Sequence, residues 1–224
     1  VVAQGGGTLE EFELFIREYD ENRHFFLAQY FRDTYDAALK NYPFINNKGL
    51  QITRLEVWIT NRSNRTENVR NIVALQDLGE SDKVGSTVNV FAAPGALPNN
   101  ANNAFDPTNI DASAPSSQLN QNIREIATVQ FGIEVANTRE GFDYAKLENA
   151  RKLTQGQEYT LNADLGYISL NQRLNNDEVL AVAFQYTLGG QVYQVGEFAN
   201  DGIDATNVTT NGQGQVTQVV NSSL

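Results

Sequence analysis

The sequence predicts an α+β fold that is mainly β: an antiparallel β-sandwich with one long amphipathic helix and short helices packed on it. Three observations predict it. Over residues 21–40, Leu27, Phe31, Tyr35 and Leu39 recur at every fourth position, with Phe26 and Ala38 widening the stripe, which is the spacing of one helix face. Residues 50–61 alternate apolar and polar side chains instead, and two further strand-like runs, 178–188 and 191–198, are joined by Gly189-Gly190, a two-residue connection that favours an antiparallel hairpin. Strands and helices also fail to alternate regularly, which disfavours a parallel, doubly wound sheet.

Taken in order, residues 1–7 are small and Gly-rich and predict a flexible start. Residues 8–200 are read as one sandwich-like domain, a size that suits a chain of 224 residues. Thr8-Leu9-Glu10-Glu11 has the spacing of a capping box, yet Phe12, Leu14 and Ile16 alternate, so this segment fits either helix or strand. After the long helix, Pro43 and Asn46-Asn47-Lys48-Gly49 break the chain before the strand at 50–61, whose buried face is marked by Leu55, Val57 and Ile59. Residues 69–78 fit a short helix or a strand closed by Gly79, and 86–92 a short strand.

A long Asn-rich surface loop is expected at 94–121, because its few large apolar residues bury too little surface to offset the entropy of ordering it. Beyond it, Val129, Phe131, Ile133 and Val135 occupy alternate positions of an expected strand over 126–136. Leu147 and Ala150 give 144–153 a short helical spacing, and 158–170 reads as a strand. Residues 201–224, rich in Gly, Thr, Asn and Gln, predict a loop or an extra strand.

Composition narrows function. With 16 Lys and Arg against 27 Asp and Glu, the formal charge of −11 repels phosphate backbones, so nucleic acid is not an expected partner. The chain has no cysteine, and His24 is its one histidine. Disulfide and thiolate chemistry are excluded, soft metal sites lose their usual ligands, and a Ser-His-Asp triad would have to form around that imidazole. No cofactor and no enzymatic activity are therefore expected. No apolar run reaches the roughly 18 residues of a spanning helix, so this segment is not expected to insert directly in a membrane. A start at Val1-Val2, without Met, predicts a processed product or a part of a longer polypeptide. The Asn-, Gly- and Thr-rich loops favour an extracytoplasmic setting.

Several residues carry candidate chemistry. His24, at the start of the expected helix, is a possible pH-sensitive contact, with a hydrogen bond to a neighbouring loop as the plainer account. Asp177 and Glu178 are adjacent carboxylates, but neighbours in a strand face opposite ways, so a turn through Asn175-Asn176-Asp177 is preferred to a glycosidase pair. Asp201 and Asp204 offer hard oxygen ligands to calcium, without the spacing of an EF-hand, and an Asp-Gly turn is the simpler reading. Trp58, Tyr30, Tyr35, Phe25 and Phe26 are weighed as a sugar-stacking platform against helix core. Arg62, Arg65 and Arg70 form a basic cluster in an acidic chain and are the candidates for partner docking, since arginine binds carboxylates with two parallel hydrogen bonds, with a solvated turn as the plainer account.

Four blocks of sequence carry more specific information. Residues 22–32 (NRHFFLAQYFR), 52–62 (ITRLEVWITNR), 68–80 (NVRNIVALQDLGE) and 165–186 (LGYISLNQRLNNDEVLAVAFQY), the last continuing into 192–198 (VYQVGEF), resemble successive blocks of the SprA/Sov family in the same order. The resemblance implies an internal soluble segment of the outer-membrane translocon of the Bacteroidetes type IX secretion and gliding-motility system, a barrel class reaching about 36 strands. It implies a non-catalytic module that shapes or caps the export channel, with other segments of the parent barrel, an outer-membrane partner barrel or plug proteins, and secreted cargo as partners. The cell surface is favoured over the periplasm, and no catalytic residues carry over. The alternative is a carbohydrate-binding β-sandwich of a surface adhesin or polysaccharide-degrading enzyme.

Overall fold

The computed structural model describes residues 15, 19–63, 66–80, 97–102, 104–110, 117–201 and 204–224. The expected flexible start at 1–7, most of the 8–16 segment and the expected strand at 86–92 lie outside them. In chain order the elements are β1 (His24–Phe26), α1 (Gln29–Leu39), β2 (Gln51–Ile59), β3 (Val69–Leu75), α2 (Val129–Gly132), β4 (Tyr144–Lys152), β5 (Tyr159–Asn162), β6 (Tyr167–Leu170), β7 (Leu180–Leu188), β8 (Gln191–Val195), β9 (Thr206–Thr210) and β10 (Val216–Asn221). They form three antiparallel sheets: β3-β4-β2-β7-β8, β1-β6-β5 and the ribbon β9-β10.

This arrangement corrects the expected sandwich with one long helix. Three sheets of five, three and two strands replace two facing sheets, and the longer of the two described helices has 11 residues. The stripe over 21–40 is split: His24, Phe25 and Phe26 pair with Ser169, Ile168 and Tyr167, and the helix begins only at Gln29. Two carboxylate oxygens of the distant, buried Glu80 set that start, accepting from Gln29 N (2.8 Å) and Tyr30 N (2.6 Å). They satisfy amides that every helix leaves without an intrahelical partner.

One face of the large sheet is buried by α1 and the small sheet. Leu27, Phe31, Val57, Ile59, Ile168, Leu170, Phe184 and Tyr186 form one apolar cluster there. Each such side chain contributes roughly 1.5–3 kcal/mol relative to exposure. The other face is covered too, by Trp58, Ile72, Leu147, Ala150 and Ala181, and by a cap in which Phe105, Ile110, Leu119, Ile123 and Val129 gather over Tyr144. Burial on both faces explains why Glu56, Val57, Trp58 and Ile59 are all buried in succession, where alternation predicts one wet face. The described parts of the expected surface loop 94–121 supply much of this cap through Phe105, Ile110 and Leu119.

Two local readings are reversed. Residues 144–152 form a strand: β4 carries one extra residue against β3 between the pairs Arg70↔Ala150 and Ile72↔Leu147, with Asn149 at φ 49°. That bulge brings Leu147 and Ala150, three apart, to the same buried face and so imitates helical spacing. The expected strand at 126–136 is instead the short α2, after which Ile133 bridges Leu119. A Cβ on Gly132 would collide with the Ile123 backbone, so a glycine is what lets this turn close on the cap. The expected strand at 158–170 is two strands, β5 and β6, paired antiparallel. Gly189 and Gly190, at φ 59° and 81°, form the expected tight turn between β7 and β8.

Tyr186 gives a test of this core. It is fully buried, donates to Pro98 O (2.8 Å) and stacks on Tyr193 with centroids 5.1 Å apart. Burial pushes its phenol well above the ordinary value, with Tyr193, Tyr30 and Glu80 adding to the rise. The native state thus holds a proton that the unfolded chain releases near pH 10, so the contribution is intact below about pH 10 and is lost as pH rises above it. Urea midpoints are expected to fall more steeply between about pH 9 and pH 11 in the wild type than in Tyr186→Phe.

Candidate docking surface and cavity

Of the predicted docking arginines, Arg62 and Arg70 have different partners. Arg62 sits after β2 and forms a two-pronged pair with Asp177, both bonds 3.0 Å, on the open surface. Arg65 lies outside the described residues. Arg70, on β3, donates to Ala199 O (3.5 Å) and is turned toward the sheet face, where burial lowers its pKa against the opposing influence of Glu197 and Glu56. Because Arg62 and Asp177 are half-exposed, their pair adds little stability. Arg62→Ala is expected to change the unfolding free energy by less than about 0.5 kcal/mol in urea titrations, which leaves that variant clean for binding assays.

Sequence reasoning missed a more buried ionic group next to Arg70. Arg124, from the cap, pairs with both carboxylate oxygens of Glu197 (one bond 2.8 Å) and also donates to Ser223 O (3.3 Å). Glu56, on β2, accepts from Lys152 Nζ (2.5 Å) and Ala199 N (3.1 Å). These pairs join residues far apart in the chain, so no local spacing announces them. They also hold the chain after the ribbon: Ser223 N donates to Arg124 O, Leu224 N to Asn71 O, and Val73 N to Leu224 O. Ser222 and Ser223 are buried although the ribbon before them is not.

The ribbon presents an unusual surface. From Thr206 to Asn221 its described side chains are exposed except for half-buried Val220. The register pairs Val208 with Val219 and Thr210 with Val216, placing three valines on one face, each more than half exposed. Residues 205–224 carry no charge, in a chain of formal charge −11.

Between the sheet and the cap lies a cavity of about 280 Å³ whose wall includes Trp58, Ile72, Phe105, Ile123, Arg124 and Ser223. Trp58 is only 3% exposed, so it cannot serve a sugar platform on the surface. Tyr30 meets Phe31, and Phe26 meets Tyr35 and Tyr167, edge to face at 5.4–6.1 Å. Phe25 packs against the main core.

His24 stands on β1 and not at a helix start. Its Nδ1 lies 2.8 Å from Ser169 Oγ, and Nε2 lies 3.3 Å from Asp20 Oδ2. The ring is about half exposed, and the amide following Ser169, Leu170 N, already donates to Arg23 O (2.8 Å). The hydroxyl therefore lacks the adjacent donor that an oxyanion site would use, and the contact reads as a cross-strand pair set by the His24↔Ser169 register. Glu178 accepts from both Asn175 nitrogens (2.8 and 2.7 Å), and Glu178 N donates to Asn175 O (3.0 Å), closing the expected turn. Asp201 pairs with Arg54 (2.7 Å), and among the described residues no group of three or more acids or histidines could hold a metal ion.

A family model, SprA_N, described as a motility related/secretion protein, matches residues 1–176. That is well over half of the 224 residues. No curated protein matches the chain. The matched region stops in the turn before β7, so β7, β8 and the ribbon lie beyond it.

Proposed function

The chain belongs to the SprA_N family of motility-related secretion proteins, and from that premise we propose that it is a non-catalytic, extracytoplasmic module of a type IX secretion and gliding-motility translocon. In this reading it sits at the outer membrane, with the cell surface as its side, shapes or caps the export channel, and docks other segments of the parent barrel. Contact and shape are its contribution, without bond making.

The observation that carries the reading is the β9-β10 ribbon. An isolated two-stranded hairpin is marginal in water, and this one exposes three valines with no lysine or proline to guard its edges. Such a ribbon gains stability by adding to a neighbouring sheet. Arg62, paired only at the open surface, is a second contact candidate.

A photoreactive residue placed at Val208 or Val219 in the full-length protein tests this in isolated outer membranes. Adducts to other segments of the parent barrel or to an outer-membrane partner are expected, and a control at Asp36, on the exposed side of α1, should give none. Equal labelling from all three positions, or none from the ribbon, would remove the reading.

A further inference from the structure

We propose that the solvent side of the small sheet is a binding site for a neutral saccharide ring, with Thr160, Asp164 and Tyr167 as its main contacts. The register builds the site. Thr160 pairs with Ser169 and Asn162 with Tyr167 across β5 and β6, while Leu161 and Ile168, at the alternate positions, pack into the main core. Side chains alternate between the faces of a strand, so the four polar residues share the outer face. Facing Cβ atoms in such a lattice lie about 5 Å apart, a span that one pyranose ring covers.

Over this face lies an open depression of about 380 Å³, within the roughly 300–1,000 Å³ of small-ligand sites. Its accessible wall is almost wholly polar, and Asp164, in the turn between the strands, is its one ionic side chain. That lining decides the class of guest. An apolar molecule would cover polar groups without pairing them. A phosphate or carboxylate would meet Asp164 and no lysine or arginine. A metal ion would find a single carboxylate, and the described residues hold no group of three or more acids or histidines that could bind one. A polyol fits, because a carboxylate accepts from two neighbouring hydroxyls at once, while the threonine, tyrosine and asparagine ends both donate and accept.

The polar groups are held in place and open to solvent. Asn162 Oδ1 accepts from Leu165 N (3.0 Å), which fixes the amide, and Ser169 Oγ lies 2.8 Å from His24 Nδ1. Thr160 and Asp164 are exposed, Asn162, Tyr167 and Ser169 half-buried. Asp164 Oδ1 accepts one long bond from Asn47 Nδ2 (3.4 Å), and among the described residues Asp164 is in no ion pair. Side chains already ordered lose less freedom when a ligand arrives.

The test follows backbone amide signals of the purified chain by NMR during titration with the methyl glycosides of glucose, galactose, mannose and N-acetylglucosamine. Saturable shifts confined to residues 160–169 and their neighbours are expected with at least one of the four. The fully O-methylated form of that glycoside, which has lost its hydroxyl donors, should cause none. Asp164→Asn, which keeps the shape and the acceptor for Asn47, is expected to weaken binding about ten-fold, the difference between a charged and a neutral acceptor of two hydroxyls. Thr160→Val is expected to weaken it about five-fold, the worth of one neutral hydrogen bond. Both changes are conservative and lie at exposed positions, and unchanged signals from the rest of the chain verify folding. No saturable shift with any glycoside, equal shifts from the O-methylated form, or unaltered affinity in both variants overturns the proposal. So does tighter saturation by ethylammonium than by every glycoside, which would make Asp164 a cation contact.

Discussion

Glu80→Ala is expected to lower the unfolding free energy by about 3 kcal/mol, from two charge-assisted hydrogen bonds at roughly 1.5–3 kcal/mol each, partly recovered by hydration of the freed amides. The residue before α1, Ala28, caps nothing with its side chain, and Glu80 does the task from more than fifty residues away in sequence, at 2.8 Å to Gln29 N and 2.6 Å to Tyr30 N. Removing it strips the first turn of its anion and leaves amides orphaned beside Leu27 and Phe31, both buried in the main core. Glu80→Gln keeps an acceptor oxygen and should lose less, about 1 kcal/mol. Urea denaturation followed by far-ultraviolet dichroism measures both. A loss for Glu80→Ala no larger than that for Glu80→Gln would mean that the carboxylate does not organise the helix start.

Gly166→Ala is expected to cost a similar amount, about 3 kcal/mol, from overpacking plus a left-handed backbone. Gly166 has φ 67°, and a Cβ there would run into the Phe31 ring; its carbonyl also accepts from Leu27 N (2.9 Å). The glycine is thus where the small sheet's hairpin touches α1. Gly190→Ala provides the contrast: φ is 81° but no atom lies within 4 Å of the added carbon, so only the backbone penalty of about 1 kcal/mol remains. Because clash and ring are one contact, Gly166→Ala combined with Phe31→Leu should lose less than the sum of the two single changes. Strict additivity would show that the ring is not what the methyl meets.

How much of this was legible in sequence depended on whether the signal was local. The strand at β2 and the Gly189-Gly190 hairpin were readable because alternation and turn chemistry act over neighbouring residues. The family was readable from whole blocks, 22–32 and 52–62 among them, and the match over 1–176 agrees. The start of the helix is hidden because Phe26, the last residue of β1, and Leu27, in the bend after it, both fit the helical stripe, and the deciding partner, Glu80, is remote. Tyr144–Lys152 read as helix because an extra residue near Asn149 turned a period of two into a step of three. Among the candidate sites, the turn at Asn175-Asn176-Asp177 was visible for the same local reason. The Arg124–Glu197 pair, the burial of Trp58 and the meeting of His24 with Ser169 are hidden, since each depends on which distant segments become neighbours.

The Asn100 carboxamide closes the chain just after β8. Its Oδ1 accepts from Gly196 N (2.7 Å) and its Nδ2 donates to Gly196 O (3.0 Å), so one side chain imitates the peptide unit of an incoming strand. The border of the largest sheet is thereby stoppered at its last rung, and lateral growth by a foreign segment is blocked at that point without any charge being spent. Backbone pairing at that rung is thus satisfied internally, by a side chain 96 residues away in the chain.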